Sequence, residues 1–193
     1  MVTGSQRTRA VFLDRDGVLV VPEFRDGRSF APRRLEDFRL YEDARGAVAR
    51  LKQAGFVVVV ATNQPDVGAG LVDETLIVAM HRLLRSEVPV DDIETCFDTR
   101  ANASRRRKPG PGMLLDAARK WQVDLAASYV VGDRGTDVEA GIRAGCTSIF
   151  IDRSYTAEQR PTLQSATVES LTEAVDWILQ EELERQAARV RRP

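Results

Sequence analysis

A chain of 193 residues, 43% hydrophobic and 30% charged with a formal net charge of −1, suits one domain spanning 1–193 with a substantial core, and it gives no support to a general nucleic-acid-binding or membrane-surface role. Two cysteines, Cys96 and Cys146, are too few for a disulfide framework or a thiolate metal cage, so a reducing cytoplasm is expected. The polar first ten residues, and the lack of any run of membrane-spanning length, predict neither export nor anchoring.

The first element is a short apolar run, Val11-Phe12-Leu13, which predicts a buried strand ending in Asp14-Arg15-Asp16-Gly17. Strand alternation puts Asp14 and Asp16 on one side beyond its carboxyl end, where like charges repel unless a cation or a shared proton intervenes. The pair therefore marks a metal site. Residues 18–40 are charged, contain proline and glycine and lack sustained periodicity, so they read as a long flap over that strand end. Ala44, Val48 and Leu51 then recur at helical spacing up to a C′ glycine, Gly55. The β-branched run 56–61 reads as a strand covered on both faces, stopping at Thr62-Asn63-Gln64-Pro65.

Asp73 is the expected N-cap of a helix carrying Leu76, Ile77, Met80, Leu83, Leu84 and Val88, closed by Pro89. Its His81, the sole histidine, reads as structural or surface. A short strand over 93–97 and a basic loop over 100–111 lead to a helix with Leu114, Ala117, Ala118 and Trp121 on its apolar face. Tyr129-Val130-Val131 predicts the next strand, ending in Gly132-Asp133. Val138 and Ile142 mark a helix that Gly145 ends, Cys146 packs as a small apolar residue, and 147–151 is a strand. A last helix starts near Glu169 with Leu171, Val175, Ile178 and Leu179 inward, and 181–193 is a charged tail, frayed or disordered.

About five such alternations predict an α/β fold, a Rossmann-like three-layer sandwich with a central, mostly parallel sheet. Ligands bind beyond the carboxyl ends of such strands. The candidate chemistry gathers there: Asp14 and Asp16, Thr62 and Asn63, Arg107 and Lys108, Asp133 and Asp137. Converging carboxylates suit a hard cation, Mg²⁺ where phosphate is the other ligand, while Thr62, Asn63 and Lys108 suit phosphate oxygens. That combination points to phosphoryl transfer, with one aspartate attacking phosphorus and its neighbour moving protons. Singly, each motif has a plainer reading, since Thr62-Asn63 could cap a helix, Asp133 and Asp137 could be first-turn acids, and 105–108 could be a solvated loop. Their joint occurrence, in order, favours the site.

The segments FLDRDGV, ATNQ, RRRKPGPGM and VGDRGTDVEAG resemble the ordered motifs of the haloacid dehalogenase-like (HAD) phosphatases. Within them, the chain is most similar to subfamily IIIA, the cap-poor group of heptose 1,7-bisphosphate and histidinol-phosphate phosphatases. The resemblance covers nearly the whole chain and implies a HAD-like fold without a large cap domain. It implies Asp14 as nucleophile, Asp16 as general acid/base, and Thr62, Asn63, Arg107, Lys108 and Arg134 as substrate or phosphate binders. It further implies Mg²⁺ held by Asp14, the backbone carbonyl of Asp16 and Asp133, with Asp137 as a second acid. Relatives of this group commonly carry a zinc loop. Here only Cys96 of its ligands is left, with Asp98 where a histidine would stand, so no zinc is expected. The arginines of the shorter loop, Arg100, Arg105, Arg106 and Arg107, are expected to meet a second substrate phosphate.

The expected activity is Mg²⁺-dependent hydrolysis of a small sugar phosphate, D-glycero-D-manno-heptose 1,7-bisphosphate foremost, by a monomer without membrane or nucleic-acid partners. The specificity segments are 18–40 and 65–72. Histidinol phosphate and a polynucleotide 3′-phosphate are alternative substrates, though the arginine loop lacks interleaved aromatics for stacking bases. A phospho-receiver domain and a silent binding module are the alternatives outside enzymes.

Overall fold

The structure, a computed structural model, describes residues 8–190; the opening residues 1–7 and the last three residues of the charged tail lie outside it, and with them the corresponding parts of the expectations about a leader and a tail. In chain order the elements are β1 (Ala10–Leu13), β2 (Glu23–Arg25), β3 (Arg28–Phe30), α1 (Ala44–Gln53), β4 (Val57–Asn63), the single turn α2 (Pro65–Gly68) and α3 (Glu74–Glu87). They continue with β5 (Asp92–Cys96), α4 (Gly112–Trp121), β6 (Tyr129–Gly132), α5 (Gly135–Ala144), β7 (Thr147–Ile151), β8 (Ala166–Val168) and α6 (Leu171–Val190).

The main sheet runs β5-β4-β1-β6-β7-β8, and every pairing in it is parallel. Its central strand, β1, shows why the sandwich has two cores. Val11 and Leu13 enter one core with residues of α1, α3 and α6, while Ala10 and Phe12 enter the other with Met113, Leu114 and Ala117 of α4. The same alternation divides Val58 and Val60 from Val59 and Ala61 on β4. Two-sided burial explains the unbroken apolar runs, and the expected three-layer fold is what forms. Asp73 caps α3 as expected, accepting from the Thr75 N–H at 2.8 Å. Among the described residues no helix is long and apolar enough to cross a membrane.

Three details differ from the sequence expectations. First, the flap 18–40 holds an antiparallel hairpin, β2 with β3, turning through Asp26 (φ 49°) and Gly27 (φ 74°). Two successive left-handed residues make the turn that an Asp-Gly pair favours. Second, the sheet gains a sixth strand, β8, whose three residues are too few to show a period. Third, the charged tail is helical through Val190. Its Glu182 is buried and accepts a 2.7 Å bond from the Tyr129 hydroxyl while pairing with Arg9, which fixes α6 at the amino end of β6.

Candidate active site

Chain connections diverge between β1, followed by α1 towards the β4 side, and β6, followed by α5 towards the β7 side. In open parallel sheets that point forms a crevice at the carboxyl ends. Asp14 follows β1 and Asp133 follows β6, and the Asp14 N–H donates to the Val131 carbonyl at 3.0 Å across the seam. Asp137, on the first turn of α5, completes a triad in which one carboxylate oxygen from each residue lies within 4.8 Å of the other two. Gly132 lets α5 approach so closely, since a Cβ there would stand 2.1 Å from that of Asp137.

Lys108 is the counter-charge. Its Nζ lies 2.8 Å from Asp14 Oδ1 and 2.6 Å from Asp137 Oδ1, and donates to the Ala61 carbonyl at 2.7 Å. Burial alone would lower its pKa, but Asp137 and Asp14 outweigh that and raise it, so the ammonium stays charged. Asp137 serves two purposes: its Oδ2 accepts from the Arg134 N–H at 3.0 Å, closing the helix start, while Oδ1 meets the lysine. Burial raises its pKa to about 6 against the pull of Lys108. Asp133 is also pushed well above the ordinary aspartate value, by burial and by Asp14 and Asp137. Its Oδ2 accepts a 2.7 Å bond from the Tyr155 hydroxyl, and its Oδ1 is buried without a partner among the described residues.

That bare oxygen decides whether a cation fits. Three carboxylates and one ammonium sum to −2, which a divalent cation cancels, and the all-oxygen donor set suits Mg²⁺. The residues therefore fit the metal. Asp16 is placed differently from the expectation of crowding against Asp14. Its carboxylate receives the guanidinium of Arg15 (Nη2 to Oδ2 2.9 Å) and the amide of Gln64 (2.8 Å), so the acids that crowd Asp14 are Asp133 and Asp137. Arg15 is fully buried and also lies 3.2 Å from Nε2 of His81, which is thus structural.

Thr62 is buried, and its hydroxyl oxygen accepts from Gln64 at 2.9 Å, which leaves its proton to give. Asn63 grips the backbone of Lys108 at both ends of its amide, accepting from its N–H at 3.1 Å and donating to its carbonyl at 3.2 Å. Arg134 donates to the Ser29 carbonyl (2.5 Å) and hydroxyl (2.6 Å), tying the hairpin to the site. The arginine loop divides. Arg105 and Arg106 pair with Asp116 on α4, and Arg106 also with Glu94 on β5, so both are engaged in ion pairs within the fold. Arg107 donates to the Asp98 carbonyl at 2.6 Å, and burial with the like charges of Arg100 and Arg134 lowers its pKa.

The HAD-hydrolase-like family matches residues 105–174. A D-glycero-beta-D-manno-heptose-1,7-bisphosphate 7-phosphatase of Rhodopseudomonas palustris is 36% identical over 75% of this chain and 84% of its own. A D-glycero-alpha-D-manno-heptose-1,7-bisphosphate 7-phosphatase of Burkholderia mallei is 30% identical over 89% and 94%. The chain belongs to the HAD-like phosphatases. Among solved structures, the D,D-heptose 1,7-bisphosphate phosphatase of Bordetella bronchiseptica, crystallised with magnesium and phosphate, superposes with a TM-score of 0.77 at 32% identity, over 90% of this chain and 99% of its own.

Four residues of this HAD-like site escaped the sequence reading. Arg15 and Gln64 lie inside the quoted motifs, and the signal was an arginine between two aspartates in an otherwise buried stretch. Tyr155 and Ser29 lie in irregular segments whose sequence gives no sign of where they end up.

Proposed function

We propose that this chain is a Mg²⁺-dependent phosphatase that removes the 7-phosphate of D-glycero-D-manno-heptose 1,7-bisphosphate through an aspartyl phosphate on Asp14. The carrying observation is the Asp14, Asp133 and Asp137 cluster, one cation short of neutrality after Lys108 is counted, with the Asp133 oxygen left bare. Asp14, Asp133 and the Asp16 carbonyl would hold the metal, which supplies charge neutralisation and Lewis acidity.

An Asp14 carboxylate oxygen attacks phosphorus, the bond from phosphorus to the sugar oxygen breaks, and Asp16 protonates that oxygen. Water then gives a proton back to Asp16 and attacks the phosphoaspartate, returning Asp14 and releasing phosphate. Thr62 donates its hydroxyl to a phosphate oxygen. Lys108 balances charge on Asp14 as it is esterified. Asn63 positions Lys108, and Arg15 with Gln64 position Asp16, on the contacts given above. Arg107 and Arg134 meet the substrate, and with 18–40 and 65–72 they set its identity.

Phosphate release should be measured on both anomers of the heptose bisphosphate, histidinol phosphate and a 3′-phosphorylated oligonucleotide, with Mg²⁺ and with EDTA. A heptose bisphosphate is expected to turn over fastest, EDTA to stop the reaction, and Asp14→Asn to abolish it with the fold intact. Turnover by Asp14→Asn would remove the nucleophile assignment, and a faster reaction on either other substrate would replace the heptose.

A further inference from the structure

Tyr155 belongs to none of the four motifs, yet its hydroxyl is the one hydrogen-bond donor that the described residues give to the Asp133 carboxylate. It comes from the loop after β7. Its ring stacks on Phe24 of the hairpin, with centroids 5.9 Å apart and an angle of 24° between planes. The loop is held to the hairpin again by the Ala157 N–H donating to the Gly27 carbonyl at 3.0 Å. It is held to the first motif by Arg153, whose Nε donates to the Gly17 carbonyl at 2.8 Å. The tyrosine therefore arrives on a braced segment.

The fit is tight at the other end. A Cβ on Gly17 would lie 1.9 Å from Asp133 Oδ2 and 3.0 Å from the Tyr155 hydroxyl, so the pair fills the space that this glycine leaves open. A carboxylate with one oxygen bonded and wedged has its other oxygen fixed in direction. That other oxygen is Oδ1, the buried one left without a partner among the described residues. Outer-sphere bonds of this kind orient a ligand before the metal arrives, and losing one typically weakens metal binding by about 10–100-fold.

We propose that Tyr155 is a positioning residue for the metal site, its hydroxyl fixing Asp133 so that Oδ1 is presented to the divalent cation. The inference rests on the Mg²⁺ reading above and adds a residue from outside the motifs to that site.

The test is Mg²⁺ binding to the whole enzyme, followed by the rise in melting temperature and by calorimetry, for the parent, Tyr155→Phe and Tyr155→His. Tyr155→Phe should raise the half-saturating Mg²⁺ by about tenfold, a larger effect than on kcat at saturating metal. Tyr155→His, which keeps a ring donor, should recover part of the affinity. Parent-like Mg²⁺ affinity in a folded Tyr155→Phe overturns the proposal, as does an equal loss in both variants, which would mark ring packing instead of the donor. If Tyr155→Phe does not fold, the near-ultraviolet difference spectrum of Tyr41→Phe decides, because it removes the other tyrosine beside this loop, whose ring centroid lies 4.1 Å from the Arg153 guanidinium. A tyrosine band appearing on Mg²⁺ addition supports the assignment, and a flat spectrum overturns it. A parent enzyme with no thermal response to Mg²⁺ and no loss of activity in EDTA would remove the metal reading itself, whereas a responsive parent with an indifferent Tyr155→Phe removes only the role of Tyr155.

Discussion

At the scale of single residues, the site is a charge balance left deliberately incomplete by the fold. Asp14, Asp133 and Asp137 are buried together with one ammonium, and burying charge without full compensation costs stability. The raised carboxyl pKa values are the same cost seen from the proton's side. Between the ordinary aspartate value of 3.8 and about 6, Asp137 in the folded protein holds a proton that the unfolded chain has released, so its contribution to stability falls as pH rises through that window. Asp133→Asn removes one of the repelling charges while keeping an oxygen for Tyr155. In EDTA the variant should be more stable than the parent by about 1–3 kcal/mol, with a shallower loss of stability from pH 4 to pH 6, and should show no melting response to Mg²⁺. A lower melting temperature in EDTA would mean that Asp133 is not an uncompensated charge. Asp14 and Asp133 could be picked out beforehand because each directly follows a strand-like apolar run, and Lys108 and Asp137 because they stand just before and in the first turn of a helix, within motifs that match in order. The place of the Asp16 carboxylate could not, because it depends on Arg15 being fully buried, and nothing in a one-residue gap between two acids says which way the arginine points.

At the scale of elements, the basic loop before α4 shows how a charge cluster is absorbed by the fold. Four arginines in eight residues suggested a surface for phosphate. Two of them are anchored instead: Arg106 joins Glu94 of β5 to Asp116 of α4 and donates to the Thr95 carbonyl at 3.3 Å, and Arg105 reaches Asp116 at 3.0 Å. These ion pairs pin the loop that delivers Arg107 and Lys108, the segment in which the sequence leaves only Cys96 of the ligands a zinc loop would need. Protein purified without added metal should accordingly carry far less than one zinc per chain. Arg106→Met should cost about 1–2 kcal/mol of stability, read as a lower melting temperature, while the preference for a bisphosphate over a monophosphate is kept. A lost preference at unchanged stability would return Arg106 to the substrate. The partners Glu94 and Asp116 lie 12 and 10 residues from Arg106 in sequence, and pairing over that distance is set by how β5 and α4 pack, which no local pattern records. The hairpin β2–β3 was different, since its Asp-Gly turn is a local signal.

At the scale of the molecule, the reaction end of the sheet and its stabilising end are separate. Six parallel strands point their carboxyl ends at the crevice between β1 and β6, an order that follows from alternating apolar runs and the preference for crossover connections. The amino end is closed by α6, whose continuation to Val190 depends on Glu182 receiving Tyr129 and Arg9 and on Arg185 lying over the Tyr129 ring at 5.2 Å. In the sequence this stretch is a run of mixed charge with weak amphipathic character, because a single buried glutamate replaces the usual apolar stripe. Burial and Glu182 raise the pKa of Tyr129, so the hydroxyl stays the donor at any pH at which the enzyme works. Removing the acceptor leaves that hydroxyl buried and Arg9 without its partner, whereas nothing at the carboxyl ends is touched. Glu182→Ala should therefore lower stability by about 1–3 kcal/mol while kcat and KM for the phosphatase reaction stay unchanged below the new melting temperature. A fall in kcat at a temperature where the variant is fully folded would mean that the amino end of β6 communicates with Asp133 through the strand, and the division of the sheet into two independent ends would have to be abandoned.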